Sequence, residues 1–348
     1  MSDVVVVGAG IVGASVACHL ARRGVSVTLL DRGPSPATGV TGDSFAWIGN
    51  AGGDWPGGAR DLRDVVLADH RRLEAELPQA AVRWTGSLVW TDAAVRPGPA
   101  APLGPGRSWV GRADIAALEP NLRDPPERAV HTPGDGGVDP TALTGALVDA
   151  ARAHGAEVLL GTVVTSLRRA GGRTVGVVSS AGFHPAATVV LAAGTNVAEL
   201  CRPLGIDLPV AASPAGLLRV TAPPALVRSI VAGPDFEVRE VRDGHLLMTL
   251  PHVEDTSASW LDQAARHALR RLRATFTGGD ACRLTGYRIG RRPMPAPGPI
   301  VGPLPHDPSL YVAVLHSAVA LAPTVGRLVA EELTSGRPAA ELRRCRPR

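Results

Sequence analysis

The segment Asp3-Val-Val-Val-Val7 runs directly into Gly8-Ala-Gly10-Ile-Val-Gly13, and nothing else in the 348-residue chain restricts its fold as strongly. A short β-branched run stopped by glycine reads as a buried strand. Residues 11–23 then place small or apolar side chains at 12, 16, 17 and 20, on one helix face, and residues 25–30 form a second strand that ends at Asp31. Strand, helix and strand this close together imply parallel pairing with a right-handed crossover. Each glycine has a task at this spacing: Gly8 permits the tight turn, Gly10 lets a pyrophosphate approach the backbone, and Gly13 lets helix and strand pack closely. The helix N-terminus, opening with Ile11 and Val12, offers N–H donors and a positive dipole end to phosphates. Asp31 stands where a carboxylate accepts hydrogen bonds from a ribose. It disfavours a 2′-phosphate, so FAD or NAD is expected rather than NADP.

The basic residues narrow the chemistry further. All 36 are arginine; the chain contains no lysine. Schiff-base lysine chemistry is therefore excluded, and so is the G-x-x-x-x-G-K-[ST] phosphate loop. Net charge is 36 − 32 = +4, and residues 337–348, with five Arg and one Glu, carry 5 − 1 = +4 by themselves. The rest of the chain is neutral and aromatics make up 3%, so nucleic-acid binding is not expected. The basic tail reads as a solvated, frayed end. Cys18, Cys201, Cys282 and Cys345 show no C-x-x-C spacing, which predicts isolated thiols in a reducing compartment and neither a disulfide framework nor a metal site. Two stretches, 4–21 and 309–326, lack formal charge. The first is preceded by Asp3 and followed by Arg22-Arg23, the reverse of a secretory signal, and the second is interrupted by Pro323. No membrane span is expected, and a cytoplasmic location is.

Further along, Asp139-Pro140 caps and opens a helix to about residue 153. Residues 157–160, 163–167, 174–178 and 188–192 read as strands, with Gly171-Gly172 a turn. Residues 310–315 form a strand, and 323–333 a helix. Residues 82–91 read as a strand around Trp84 and Trp90, and the Pro/Gly/Ala-rich stretch 94–106 as a loop. Residues 210–220, 236–241 and 245–250 read as antiparallel strands, the last two joined at Asp243-Gly244, and residues 257–273 as a helix. The pattern is α/β: a Rossmann-like dinucleotide-binding domain (1–78, 132–208, 284–348) interleaved with an α+β substrate domain (79–131, 209–283) whose sheet is mainly antiparallel.

Val189-Val-Leu-Ala-Ala-Gly194-Thr adds a second strand that ends in small residues before a helix, about 180 residues after the first. With this segment the sequence resembles the FAD-dependent D-amino-acid oxidase/glycine oxidase/sarcosine oxidase superfamily over nearly its whole length. The motifs carrying the resemblance follow in order. They are the N-terminal glycine motif; Thr41-Gly-Asp-Ser44-Phe-Ala-Trp47; Gly136-Gly-Val-Asp-Pro140; Gly155-Ala-Glu-Val with Gly161-Thr-Val-Val164; Leu191-Ala-Ala-Gly194-Thr; Gly290-Arg-Arg292-Pro293 with Pro299-Ile-Val-Gly302; and His316-Ser317 with Leu321-Ala-Pro323. The resemblance implies the glutathione-reductase type of FAD-binding fold and a site for each part of the cofactor. Gly8, Gly10, Ile11, Val12, Gly13 and Asp31 would hold the pyrophosphate and adenosine ribose. Arg32 and Val164 would lie by the adenosine, Thr41, Ser44, Phe45 and Ala46 along the pyrophosphate-to-flavin stretch, and Ala193 and Gly194 close to the cofactor. His316, Ser317, Leu321 and Ala322 would sit at the flavin ring, aiming the last helix's N-terminus at its pyrimidine edge. Arg292 matches the family arginine that clamps a substrate carboxylate; an internal salt bridge is its other reading. His316 reads either as a structural hydrogen-bonding residue or as a contact to flavin or substrate. Neighbouring Arg291 reads as surface, and His245, His252 and Trp260 carry no assigned role.

The implied function is an FAD-dependent oxidoreductase that oxidises the C–N bond of an amino acid or related amine. Hydride passes to flavin N5, the imine hydrolyses, and O2 is the expected electron acceptor and co-substrate. No His or Cys matches a covalent flavin attachment, so the FAD is expected to be non-covalent. Departures from the family pattern cluster beside the flavin and substrate pocket: Leu315 and Ala318 stand where glycine is common, and 293–302 is one residue short. The alternatives are an FAD-dependent amine dehydrogenase using another acceptor, a tailoring flavoenzyme for an unusual nitrogenous substrate, and an NAD-dependent dehydrogenase.

Overall fold

The computed structural model describes residues 2–91, 103–250, 253 and 255–348. Most of the expected loop at 94–106 and all of His252 lie outside the described residues; 103–107 have no regular structure. The central strand, Ser2–Val7, is parallel to Val27–Leu30 on one side and to Gly182–Leu191 on the other. Glu157–Leu159 extends the first edge and Asp307–Val314 the second, both in parallel, and Ile300–Leu304 closes the sheet as an antiparallel partner of Asp307–Val314. Four consecutive valines fit this position because the strand is covered on both faces. Val4 and Val6 join the cluster formed with helices Ile11–Ala21, Pro140–Ala153 and Ala318–Ser335, while Val5 and Val7 join the opposite cluster.

On that opposite side, Val164–Ala170 and Arg173–Ser179 form an antiparallel extension of Gly182–Leu191, and helix Asn196–Cys201 follows it. The Asp139 carboxylate accepts from the Thr141 and Ala142 N–H groups, which fixes the start of helix Pro140–Ala153.

Among the described residues the second sheet has eight strands, ordered Arg283–Pro295, Val210–Thr221, His245–Leu250, Phe236–Arg242, Ile230–Gly233, Ser87–Val89, Arg128–Thr132 and Ser108–Gly111. All its pairings are antiparallel except Ile230–Gly233 with Ser87–Val89. Helix Ala258–Thr275 covers one face through Ala265, Ala268 and Leu272. The other face carries Leu217, Leu247 and Arg239 toward the nucleotide-binding part.

Several elements differ from the sequence expectation. Residues 284–295, assigned above to the nucleotide-binding domain, pair throughout with Val210–Thr221 in the second sheet. The strand expected at 82–91 shrinks to Ser87–Val89, because Gly86 takes φ +72°, a turn conformation. The helix expected from Pro323 begins at Ala318. Proline inside a helix removes the N–H that would bond four residues back, here to Val319. His70 stands at this point: its Nε2 lies 3.0 Å from the Ala320 carbonyl, with the Val319 carbonyl also in reach.

The C-terminal tail is not frayed. Leu342 and Cys345 are buried within a 3₁₀ turn, Ala340–Cys345. Arg346 pairs with the buried Glu332, which also accepts from Tyr311 Oη at 2.5 Å, and Arg344 lies 3.0 Å from Asp61. Apolar positions 342 and 345, three apart, outweigh the surrounding charge because Arg344 between them and Arg346 after them find carboxylates. All four cysteines are buried and free. Among the described residues no helix is long and apolar enough to cross a membrane.

Candidate active site

At the N-terminal motif, Gly8 takes φ +109°, and a Cβ there would fall 2.6 Å from the Ala192 carbonyl oxygen. A Cβ on Gly13 would fall 1.8 Å from the Gly8 oxygen. These contacts draw the first turn of helix Ile11–Ala21 tightly against the ends of strands Ser2–Val7 and Gly182–Leu191. Gly10 is the N-cap and so offers no capping side chain, and the first turn holds no acidic residue. Thr41 Oγ1 accepts from the Ile11 N–H at 3.2 Å. The first turn thus carries no acidic side chain of its own to compete for its positive dipole end. Asp31, at the end of the second strand, holds one oxygen 2.6 Å from the Ala9 N–H and the other 2.6 Å from the Gly33 N–H. A backbone cradle with a helix dipole and an oriented carboxylate fits a dinucleotide. Ala193 and Gly194 (φ +60°) continue from Ala192, half-buried beside this turn. Arg32 is exposed, and Val164 is half-buried at the start of its strand.

The loop 41–47 leads from the cradle toward the second sheet. Ser44 Oγ accepts from the Ala46 N–H at 3.1 Å. Ala46 is buried with φ +53°, a conformation rare outside glycine, and is fixed by Val138 N–H donating to its carbonyl. Phe45 stacks edge-on to Trp47. Arg239, from the second sheet, donates through Nε to the Phe45 carbonyl (2.7 Å) and through Nη2 to the Val138 carbonyl (2.6 Å).

The chain leaves strand Asp307–Val314 through Leu315 and the half-buried His316 to exposed Ser317, which precedes helix Ala318–Ser335. Ser317 makes no side-chain cap and the first turn has no acid, so this is a second helix end without an anionic partner. Leu321 and Ala322 lie further in and are buried, Ala322 with its carbonyl taken by Ser15 Oγ at 2.8 Å. The first-turn backbone, rather than those two side chains, is what this helix presents.

Arg292 lies mid-strand in Arg283–Pro295, half-buried, while Arg291 is exposed. Its Nη2 donates to Ser213 Oγ at 3.0 Å and reaches the Pro214 carbonyl at 3.5 Å. Its Nε is buried without an acceptor. Arg292 and His316 come together: burial, and then the Arg292 charge, hold the imidazole below its ordinary pKa. Arg292 also lines a cavity of about 250 Å3 with Phe236, Glu237, Thr249 and Leu250. Burial raises the Glu237 carboxyl above its usual range, against the opposing pull of Thr249 and Arg292.

Sequence reasoning passed over Glu237 and Arg239. The signal was present in Phe236-Glu-Val-Arg239-Glu, where period-2 alternation sends 237 and 239 to one face and the core valine Val238 to the other. His245 lines a second cavity of about 460 Å3 with Arg219, Arg242 and Asp139. Trp260 is half-buried against the core of the second sheet.

A family model described as DAO, FAD dependent oxidoreductase, matches residues 3–332. The glycine oxidase of Pseudomonas aeruginosa is 29% identical over 96% of this chain and 95% of its own length. An uncharacterized oxidoreductase of Bacillus subtilis is 29% identical over 90% and 89%. The crystal structure of glycine oxidase from Geobacillus kaustophilus superposes with a TM-score of 0.85 at 22% identity, covering 99% of this chain and 98% of that one.

Proposed function

We propose that this chain, which belongs to the DAO family of FAD-dependent oxidoreductases, oxidises the C–N bond of an amino acid or related amine to an imine, with O2 as the electron acceptor. The observation that carries this reading is Arg292, a half-buried guanidinium with an unpartnered Nε, lining a cavity beside His316. Its planar donor fork matches a carboxylate. FAD, held non-covalently, supplies the two-electron acceptor when bound.

The chain's own contribution is positioning. Gly8, Gly10, Gly13 and the first helical turn at Ile11 and Val12 take the pyrophosphate, and Asp31 the adenosine ribose, with Arg32 and Val164 toward the adenosine. Thr41, Ser44, Phe45 and Ala46 line the path to the ring, and Ala193 and Gly194 pack against the cofactor. His316 and Ser317 bring the helix that contains Leu321 and Ala322 to the site, and the helix's positive end stabilises negative charge developing there. His316, its pKa lowered, stays a neutral hydrogen-bonding group near neutral pH. A substrate amine that enters unprotonated needs no strong base, and water hydrolyses the imine product. Similarity to the Pseudomonas aeruginosa glycine oxidase supports amino-acid chemistry.

Stopped-flow mixing of the substrate-reduced protein with oxygen tests the acceptor; fast reoxidation with release of hydrogen peroxide is expected. Slow reoxidation selects the second reading, a dehydrogenase that hands electrons to another acceptor. The observation favouring that reading is the chain without lysine: with His316 held neutral, any positive charge promoting the oxygen reaction has to come from Arg or the substrate-derived cation.

A further inference from the structure

The cavity at Arg292 carries two opposite charges that do not meet. Arg292 bonds to Ser213 and Pro214, whereas Glu237 accepts from Thr249 Oγ1 at 3.3 Å. Among the described residues the two form no ion pair, although both line the same space. The sheet order explains why. The strand of Arg292 is separated from that of Glu237 by Val210–Thr221 and His245–Leu250. Three spacings of about 4.8 Å separate the two strands laterally by about 14 Å, and the register sets Glu237 in line with Arg288, four residues along the strand from Arg292. The same lining includes the apolar residues Pro214 and Ala215. Glu237 is half-buried, and a carboxylate partly removed from water without a cation is costly unless a ligand completes it.

We infer that Glu237 is a specificity-determining residue, which receives a basic nitrogen at the end of the substrate remote from the carboxylate held by Arg292. The substrate class is then an amino acid, or N-substituted amino acid, with an aliphatic spacer between its carboxylate and a second, positively charged nitrogen. This inference rests on the carboxylate-binding role proposed for Arg292. The cavity rejects purely apolar chains of the same length because they leave the Glu237 carboxylate desolvated and unpaired.

Isothermal titration of the flavin-loaded protein under anaerobic conditions tests this with two nearly isosteric probes, 5-aminovalerate and hexanoate. They differ in a terminal ammonium against a methyl group. The wild type is expected to bind 5-aminovalerate at least about tenfold more tightly, equivalent to about 1.4 kcal/mol. In Glu237→Gln the ratio of the two affinities falls to near unity, and in Glu237→Asp, which keeps the charge, a preference for the amino probe persists. A wild-type ratio near unity, a ratio unchanged in Glu237→Gln, or no detectable binding of either probe overturns the proposal. Arg292→Met separates the two readings. If it leaves both affinities as they were, the carboxylate role of Arg292 fails, while the ratio between probes still reports on Glu237 alone.

Discussion

Arg239 reaches from the antiparallel sheet to donate its Nε–H to the Phe45 carbonyl at 2.7 Å, fastening the loop expected to line the cofactor to the sheet expected to line the substrate. The guanidinium also lies over the Phe45 ring, 5.3 Å from its centroid, and it packs so closely on Gly137 that a Cβ there would fall 2.6 Å from Nη1. Burial lowers its pKa to about 10, which leaves it charged at neutral pH. Arg239→Leu strands the Phe45 and Val138 carbonyls without donors. A loss of about 3–6 kcal/mol in stability is expected from two charge-assisted hydrogen bonds, together with a lower flavin-to-protein ratio. Denaturant melts and flavin absorbance measure both; a variant unchanged in each refutes the fastening role.

The glycine motif gives a steric prediction with an internal control. Gly13→Ala places a methyl group against the Gly8 oxygen, where the ideal position is 1.8 Å away, so the protein should purify without flavin or fail to fold. Gly24→Ala meets nothing within 4 Å and suffers only the strain of φ +77°, about 1–2 kcal/mol. It should therefore retain flavin. Equal flavin contents in the two variants contradict this account of the turn.

Asp31 offers a graded test. Its carboxylate already orients the Ala9 and Gly33 N–H groups, so Asp31→Ala removes both the ribose acceptor and the order of the turn. Flavin affinity, read by titrating the apoprotein, should weaken by about tenfold to a hundredfold, the equivalent of one charge-assisted hydrogen bond. An unchanged dissociation constant removes Asp31 from the cofactor site.

Two histidines set a pH dependence of stability. Burial pushes His70 down to about 4, with the Ala320 carbonyl opposing, and pushes His19 to about 4 with help from Arg23 and Arg22. An unfolded histidine titrates near 6.5. Between pH 6.5 and 4 the unfolded chain therefore binds more protons than the folded one, and stability falls as the pH drops through that window. Above 6.5 both states are neutral and the full stability is present. His70 alone accounts for about 2 kcal/mol by pH 5. Denaturant unfolding of wild type and His70→Gln at pH 7.5 and pH 5 checks this; equal pH slopes in the two proteins contradict it.

The parts of the fold most legible in the sequence were those whose local chemistry has one solution. The four-valine strand, the glycine turn, Asp31 and the Asp139 cap each impose a backbone conformation, and each stands where expected. Less legible were features decided by partners distant in sequence. Pro323 reads as a helix start, yet it is tolerated one turn in because His70 meets the carbonyls at 319 and 320. The basic tail reads as solvated, yet Glu332 and Asp61 receive two of its arginines, Arg346 and Arg344, and Leu342 finds a core. Glu237 carries no assignment from the sequence, because nothing local says that Arg292, 55 residues later, shares its cavity.

Anaerobic mixing of the flavin-loaded wild type and Arg292→Leu with a panel of amino acids and the corresponding decarboxylated amines tests whether Arg292 holds the carboxylate of a substrate that reduces the flavin. At least one amino acid is expected to bleach the oxidised-flavin absorption of the wild type, and its decarboxylated amine to do so far more slowly. The second-order reduction rate should drop in Arg292→Leu by the factor corresponding to about 2–5 kcal/mol. A flavin that no member of the panel reduces, or an Arg292→Leu protein reduced as fast as the wild type, contradicts it.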